Sequence, residues 1–509
     1  MKLQSMLGVV IAAVSLIVPG ALRAAGDDEF APMYKDIKFD MPHVERPVIP
    51  DTRVSLTDFG AVGDGLVKNT GAFAKAIAHL AAKGGGHLDV PSGIWLTGPI
   101  VLDDNIDLHL EAGALVLFSG DLADYPVEVS SFEGWTTHRA QAPISARGKK
   151  NISITGLGTI DGNGGKWRPV KRAKTTEAQW KALSATGVIG KKGDIWYPND
   201  RIREVSESKE LTKGSLQNAD TIDWNYVHDF LRPCLVALVN CKNVLLEDAT
   251  FQNSPSWNIH PLLCDNVILN RVTVRNPWYA QNGDGLDAES CNGVLVYRCS
   301  FDVGDDAICI KSGKDREGRE RGVPCRNVLI EDCTVYHGHG GFVIGSEMSG
   351  GARDISIRNC NFIGTDCGLR FKSTRGRGGV VSNIWVDAVN MINIDGDGLI
   401  FDLYYGNKGP VTTMPVTDET PSFRDIYINK VNCINARRCI FFNGLPEMPV
   451  KDVAISNSVF TGETGVTLNY VDGLKLDNVS VSCREGNLVN STHLTGLECD
   501  AATRKSLGL

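Results

Sequence analysis

The sequence lacks long apolar runs. Beyond the first two dozen residues no window approaches 18 uninterrupted apolar residues, so no membrane-spanning helix is expected in the body of the chain. It also lacks a basic excess: Lys and Arg number 52 against 60 Asp and Glu, a net charge of −8, which speaks against a nucleic-acid partner. Proline is ordinary at 21, whereas glycine is raised at 54 of 509 residues, so the chain is expected to hold many tight turns and short strands and few stiff linkers. Its 14 cysteines include no Cys-x-x-Cys pair, which removes the commonest zinc arrangement. Charged residues at 22% and hydrophobic ones at 42% exclude a disordered chain.

What is present begins with a leader. Lys2 precedes an apolar run over 7–18, a Pro19-Gly20 break, an Ala-rich stretch and the acidic Gly26-Asp27-Asp28-Glu29. This reads as a signal peptide over 1–24, although cleavage after Ala24 leaves Leu22, not alanine, at the third position back. The run is too short to span a bilayer comfortably, and no cysteine follows closely enough for a lipid anchor. The protein is therefore expected to be exported, periplasmic or secreted, and to have no membrane partner. The remaining organisation is read as a linker over 25–50 and one domain over 51–509, expected to act as a monomer.

A length of 509 would ordinarily imply about three domains. A repeat argues otherwise. The pattern apolar-or-small, x, Asn/Asp/Gly, apolar, x, apolar, x, x, small, x, apolar-or-Cys fits 241–251, 264–274, 291–301, 325–335, 352–362, 381–391, 423–433, 450–460 and 471–481, at spacings of 21 to 42 residues. Its first apolar column reads Val244, Val267, Val294, Val328, Ile355, Ile384, Ile426, Val453 and Leu474. The column two residues on is equally apolar, and such alternation marks half-buried strands. The units are too short to contain a βαβ helix. The expected fold is therefore all-β, a right-handed, single-stranded parallel β-helix. Weaker fits at 105–110 and 151–159 extend the coil toward the N-terminus. Residues 70–83 put Phe73, Ile77 and Leu80 on one helical face, with Thr70 as N-cap and Gly84-Gly85-Gly86 as the stop, a helix suited to capping the open end.

The repeat also arranges the cysteines. Cys241, Cys264, Cys291 and Cys325 share one column, and Cys299, Cys333 and Cys360 share another whose other members are small. A ladder of free thiols is the favoured reading, since thiols pack as small hydrophobes, with rung-to-rung disulfides second. Cys483 and Cys499 lie beyond the ladder and are the better disulfide candidates. One stretch breaks the rhythm. Residues 163–232 are rich in Lys, Arg, Glu and Trp and too long for a turn, so they form either a wall over one end of a groove or a disordered loop.

Polar residues concentrate in four consecutive turns: Asn282-Gly283-Asp284-Gly285-Leu286-Asp287, Gly304-Asp305-Asp306, Gly338-His339-Gly340 and Arg370-Phe371-Lys372. An offset of 22 sets Leu286 over Ile308 and stacks Asp284 on Asp306. Strands lie about 4.8 Å apart, so these two and Asp305 would form a packed trio of carboxylates, of which one should keep a proton to higher pH. That suits acid/base catalysis. In 369–372 the apolar residues alternate inward, which sends Arg370 and Lys372 outward together, a pair suited to a carboxylate-bearing ligand. Lys311, Arg375 and Arg377 are candidates to extend that patch.

Taken in order, these motifs resemble the polygalacturonases, glycoside hydrolase family 28, whose hallmarks are Asn-Thr-Asp, Asp-Asp, Gly-His-Gly and Arg-x-Lys. The match extends to Phe59-Gly60-Ala61-Val62-Gly63-Asp64-Gly65, and the one departure is Gly283 where many members carry Thr. The resemblance implies inverting hydrolysis of α-1,4 galacturonosidic bonds in pectic polysaccharide, without metal or cofactor. Asp305 would be the general acid, Asp284 and Asp306 would activate water, and His339 would tune the acid's protonation or position the substrate. Asn282, Arg370, Lys372, Lys311, Arg375 and Tyr405 would bind substrate, Tyr404 and Tyr405 by stacking on sugar rings. Asn253-Ser254-Pro255-Ser256-Trp257, Arg232-Pro233 and 372–379 look like the exo-acting bacterial branch. Trp257 reads equally as packing. The stacked carboxylates sit closer than the roughly 6.5–9.5 Å usual for inversion. Competing readings are a rhamnogalacturonan-directed hydrolase, a Ca²⁺-dependent pectate lyase of the same fold, and a non-catalytic carbohydrate-binding β-helix.

Overall fold

A strand with apolar residues at alternate positions can bury only one face, so the repeats must stack to cover one another. In the computed structural model, which describes residues 29–406 and 411–508, they do so in register. Val244 pairs with Val267, Val267 with Val294 and Val294 with Val328, and the column continues through Ile355, Ile384, Ile426 and Val453. The weaker repeats join the same stack, Ile106 pairing with Ile152 and Ile152 with Val244. The leader read over 1–24 lies outside the described residues.

The chain divides into two units, residues 1–37 and 38–509. Of the first, residues 29–37 are described and contain one 3₁₀ turn, Ala31–Tyr34. The second is a right-handed parallel β-helix in which each coil crosses three sheets. One coil shows the plan. Lys242–Glu247 lies in the first sheet, Thr250–Gln252 in the second and Ile259–Leu262 in the third, each paired in parallel with the equivalent strand before and after. The interior is one continuous apolar core running from Leu56 to Leu507.

The Asn/Asp/Gly column has a backbone cause. Asn243, Asn266, Gly293, Asn327, Asp354, Asn383, Asp425, Asp452 and Gly473 all take positive φ, between 49° and 77°, at the corner entering the first sheet. These are the residue types that tolerate the left-handed region. Asn side chains at this corner bond from coil to coil, Asn266 to Asn243 and Asn243 to Asn151, each at 2.9 Å.

Both ends of the core are closed. Helix Thr70–Ala82 buries Phe73, Ile77 and Leu80 at the N-terminal end. Its N-cap is Asn69 and not Thr70, because the Thr70 hydroxyl is occupied in accepting the Gly98 amide at 2.6 Å. At the other end Asp500 caps the helix Ala501–Leu507, which buries Leu507 and has no counterpart in the repeat reading. Among the described residues no helix is long and apolar enough to cross a membrane.

Two expectations are corrected and one open alternative is decided. Residues 38–50 are not a free linker: Val44 is buried and Arg46 grips Glu247 through two bonds of 2.7 and 3.1 Å. The Cys483–Cys499 bridge does not form. All 14 cysteines are free thiols, and Cys499 pairs beside Leu476, well upstream of Cys483 on the same strand. The stretch 163–232 is folded and not disordered. It holds helices Glu177–Ser184, Asp200–Glu207 and Lys209–Leu216 and an antiparallel sheet of Val170–Lys171, Val188–Ile189 and Ile195–Tyr197, with apolar clusters of its own around Trp180 and Trp196 and around Val205 and Val227.

Candidate active site

The connection from the second to the third sheet is where the coil varies most. Residues 163–232 occupy it in one coil, and in later coils it carries Asn282–Asp284, Asp305–Asp306, His339 and Asp366. Register places them together. Leu286 pairs with Ile308 and Ile308 with Phe342, so Asp284 lies one coil from Asp306, as the offset of 22 requires. Two glycines permit the close turns. A Cβ on Gly283 would fall 2.7 Å from Ala280 Cβ, so the threonine common in the family would need the loop to shift. At Gly338 a Cβ would come 2.9 Å from the Asp305 carbonyl, the same carbonyl that accepts the His339 amide at 2.9 Å.

Asp305 and Asp306 are neighbours with different partners. The Asp305 carboxylate takes the Asn282 amide at 3.3 Å and the Asp306 amide at 3.1 Å, and its Oδ1 lies 3.2 Å from His339 Nδ1. Asp306 faces Lys372 Nζ at 2.6 Å and Arg370 Nη1 at 3.3 Å. Tyr405 covers this pair of cations, its ring centre 5.2 Å from Lys372 Nζ and 5.6 Å from Arg370 Cζ. With a side chain 37% exposed it is the tyrosine that faces solvent; Tyr404, at 8%, packs in the core.

The electrostatics divide the carboxyl groups into two kinds. Burial pushes Asp284 well above the usual carboxylate range, and the charges of Asp287 and Asp305 push it further. Asp287 is raised in the same way, burial again leading, against the pull of Lys311. Burial also acts on Asp305 and Asp306 but is outweighed. The hydrogen bond and charge of His339, with Lys372 and Lys311, hold Asp305 below its ordinary value, and Lys372 and Arg370 do so for Asp306. His339 is correspondingly raised, first by its bond to Asp305. Of the trio, Asp284 is thus the member that keeps a proton to higher pH, and His339 likewise keeps its own longer. Asp305, the expected acid, is the carboxyl that His339 and the nearby cations push toward its ionised form.

The eight residues Asn282, Asp284, Asp305, Asp306, His339, Arg370, Lys372 and Tyr405 lie together. Lys311 and Arg375 do not. Lys311 is buried beneath them, paired with Glu347 at 3.0 Å and Asp287 at 3.5 Å and lying 4.6 Å from the Trp257 ring centre, so it serves the floor of the site. Trp257 is likewise packing, 2% exposed. Arg375 donates from Nε and Nη2 to the two Glu447 carboxylate oxygens, at 2.6 and 2.9 Å, and Arg377 is held by Asp315. Four further residues belong here: Asp287, Glu347, Arg232 and Asp366. Arg232 donates to Asn282 Oδ1 at 3.0 Å, and Asp366 approaches His339 Nε2 at 3.2 Å. Asp287 carried a signal, its place three residues after Asp284 in the same motif. Arg232 stood out only in the Arg232-Pro233 resemblance, and Glu347 and Asp366 carried no signal.

Beside Asn282, the segment 163–232 and the coil enclose a cleft of about 230 Å³ lined by Lys171, Tyr197, Phe230, Arg232 and Gln281. Among the described residues, donor atoms of Asp305, Asp306 and His339 come within 4.8 Å of one another. Each is already ion-paired, Asp306 with two cations, so the arrangement reads as a charge network and not as a ligand set.

Ionised and protonated carboxyls side by side, with cations at hand, on the flank of a parallel β-helix, define an acid/base enzyme site. Comparison with known proteins specifies the class. The sequence pattern of glycosyl hydrolases family 28 matches residues 228–483. A Vitis vinifera protein described as a probable polygalacturonase is 29% identical over 79% of this chain and 73% of its own. The exo-poly-alpha-D-galacturonosidase of Dickeya chrysanthemi is 30% identical over 71% of this chain, which spans 59% of that relative. The crystal structure of a hyperthermoactive exopolygalacturonase from Thermotoga maritima is 34% identical, with a TM-score of 0.73 over 86% of this chain and 94% of that one. The chain belongs to family 28 of the glycosyl hydrolases and is a glycoside hydrolase.

Proposed function

We propose that the protein hydrolyses α-1,4 galacturonosidic bonds of pectic polysaccharide, acting from a chain end. One observation carries the substrate class: Arg370 and Lys372 converge on Asp306 under Tyr405, beside the Asp305–His339 pair. These cations can turn to a sugar carboxylate, and Tyr405 offers a ring face for the sugar. The names of the Dickeya and Thermotoga relatives agree with exo action. So does the placement of 163–232, which forms a cleft with Arg232 and Gln281 beside Asn282, a position from which it would stop a continuing polymer.

In this reading Asp306 is the base, since two cations keep it ionised. Asp284, one coil away and pushed toward its protonated form by burial and by Asp287 and Asp305, is the weaker base, which narrows the two-base role expected for the pair. Asp305 donates to the glycosidic oxygen. It obtains the proton from His339 Nδ1, 3.2 Å away. Bound sugar strengthens the burial that already pushes Asp305 up, and it draws Lys372 off the aspartates; both shift the proton from nitrogen to oxygen. The carboxylates stand closer than inverting enzymes usually keep them, so the anomer of the first product, read by proton NMR, is the check on inversion. Export through the leader over 1–24 suits an extracellular polymer.

The test is digestion of polygalacturonate and rhamnogalacturonan with products sized over time. The expected outcome is saturated small products from polygalacturonate at the earliest times, unaffected by chelator, and none from an Asp305→Asn variant that folds normally. Near-normal activity in that variant, or an unsaturated ultraviolet-absorbing product, would sink the assignment.

A further inference from the structure

One carboxylate in the site has no task in this mechanism. His339 stands between two acids, its Nδ1 3.2 Å from Asp305 Oδ1 and its Nε2 3.2 Å from Asp366 Oδ2. The backbone holds the three together: the His339 amide donates to the Asp305 carbonyl at 2.9 Å, the Asp366 amide to the Gly338 carbonyl at 2.9 Å, and the Cys367 amide to the His339 carbonyl at 3.0 Å. Asp305, His339 and Asp366 thus come from three successive coils. A carboxylate 3.2 Å from each ring nitrogen favours the imidazolium, the one form of the ring with an N–H to offer each of them. We propose that Asp366 is a positioning residue that holds His339 as the imidazolium, with Nδ1–H aimed at Asp305, so that His339 re-protonates Asp305 after each cleavage. The proposal rests on Asp305 being the general acid.

The step balances. Asp305 passes its proton to the glycosidic oxygen as the bond from C1 to that oxygen breaks. Water bonds to C1 and gives its proton to Asp306. Asp305, now a carboxylate, takes the Nδ1 proton of His339, and the neutral imidazole regains one from solvent along its half-exposed edge, while Asp306 releases its own. One water is consumed and no net proton. The groups facing His339 are Asp305 and Asp306 from the coil before and Asp366 from the coil after; Arg370 and Lys372 face it across Asp306. All three carboxylates favour the charged ring, so losing one lowers the pH at which the ring titrates.

The experiment compares wild type, Asp366→Asn and Asp366→Glu by two readouts. One is the His339 titration by NMR, assigned by the resonance absent from His339→Gln; the other is the pH profile of kcat/KM on polygalacturonate. In Asp366→Asn the His339 midpoint should fall by about half to one pH unit, the basic limb of kcat/KM should fall with it, and activity on the acidic side should stay within about threefold. Asp366→Glu should restore both. A lower Tm with activity reduced equally at every pH marks a purely structural role and overturns the proposal, as does a shifted His339 midpoint with an unmoved limb. If the wild type hydrolyses no polygalacturonate, the functional reading has failed, and the NMR readout still decides whether Asp366 holds the imidazolium.

Discussion

Asp306 and its two cations decide what the site can do at a given pH. Burial alone would raise this carboxyl, and Lys372 at 2.6 Å and Arg370 at 3.3 Å reverse the sign. Replacing Lys372 with Met removes one of the two charges, so the Asp306 pKa must rise and the base must be lost at a higher pH. The acidic limb of kcat/KM should then move upward. KM for polygalacturonate should rise about 10- to 100-fold, the size of one lost charge-assisted hydrogen bond of roughly 1.5–3 kcal/mol. Initial rates across pH read both effects, and an unmoved limb would show that Arg370 alone controls Asp306. The stability sign follows. A depressed carboxyl contributes stability above its unfolded pKa and loses it as pH falls through the folded one, so the variant should be less stable near neutral pH and lose less of its stability through this group on acidification. The residues of this cluster were legible because they fall in motifs at one coil position. Their charge states were not, because those depend on which side chain turns toward which across coils: Asp305 and Asp306 are adjacent in sequence yet answer to His339 and to Lys372. Lys311 and Arg375 were misread for the same reason, their partners Glu347 and Glu447 being distant in the chain.

At the scale of the coil, the corner column of Asn, Asp and Gly was visible because the backbone conformation selects the residue type. A second left-handed column was not. Asp248, Arg271, Arg298, Asp332, Asn359, Ala388, Lys430, Asn457 and Asn478 all take positive φ, from 48° to 65°, just before the small inward position. Arg, Lys and Ala are poor choices there, and stacking between coils holds them in place against a backbone cost of roughly 1–2 kcal/mol each. Ala388 offers the cleanest test, having no side chain beyond Cβ to lose. Ala388→Gly should relieve that strain against about 0.5–1 kcal/mol of added unfolded-state entropy, leaving a net gain of about 0.5–1 kcal/mol in a denaturant melt. A lowered midpoint would mean that the Ala388 methyl contributes packing worth more than the strain.

At the scale of the molecule, the coil supplies identical strands and leaves the connection between its second and third sheets free to vary. The catalytic residues and the segment 163–232 use the same connection in different coils, which is why the segment folds beside Asn282 and not elsewhere on the surface. In the sequence it was visible only as an interruption. Its position over the site follows from coil register and chain direction, which no residue within the segment records. The segment's apolar clusters also take in Tyr279 and Val127, its middle bonds the hairpin at Thr137 through Ser215, and Arg168 and Arg232 anchor its two ends, so the cut is made between those anchors with both kept. If it is what stops the polymer, the wild type should raise reducing ends in polygalacturonate while viscosity falls little, since cuts at chain ends shorten each molecule slightly. A variant with residues 175–224 replaced by a short Gly/Ser linker should lose more viscosity per bond cut, because the opened groove admits chain interiors. Wild-type digestion tests the same point without depending on the variant's folding: steep viscosity loss at the first cuts would mean the cleft beside Arg232 does not close the groove.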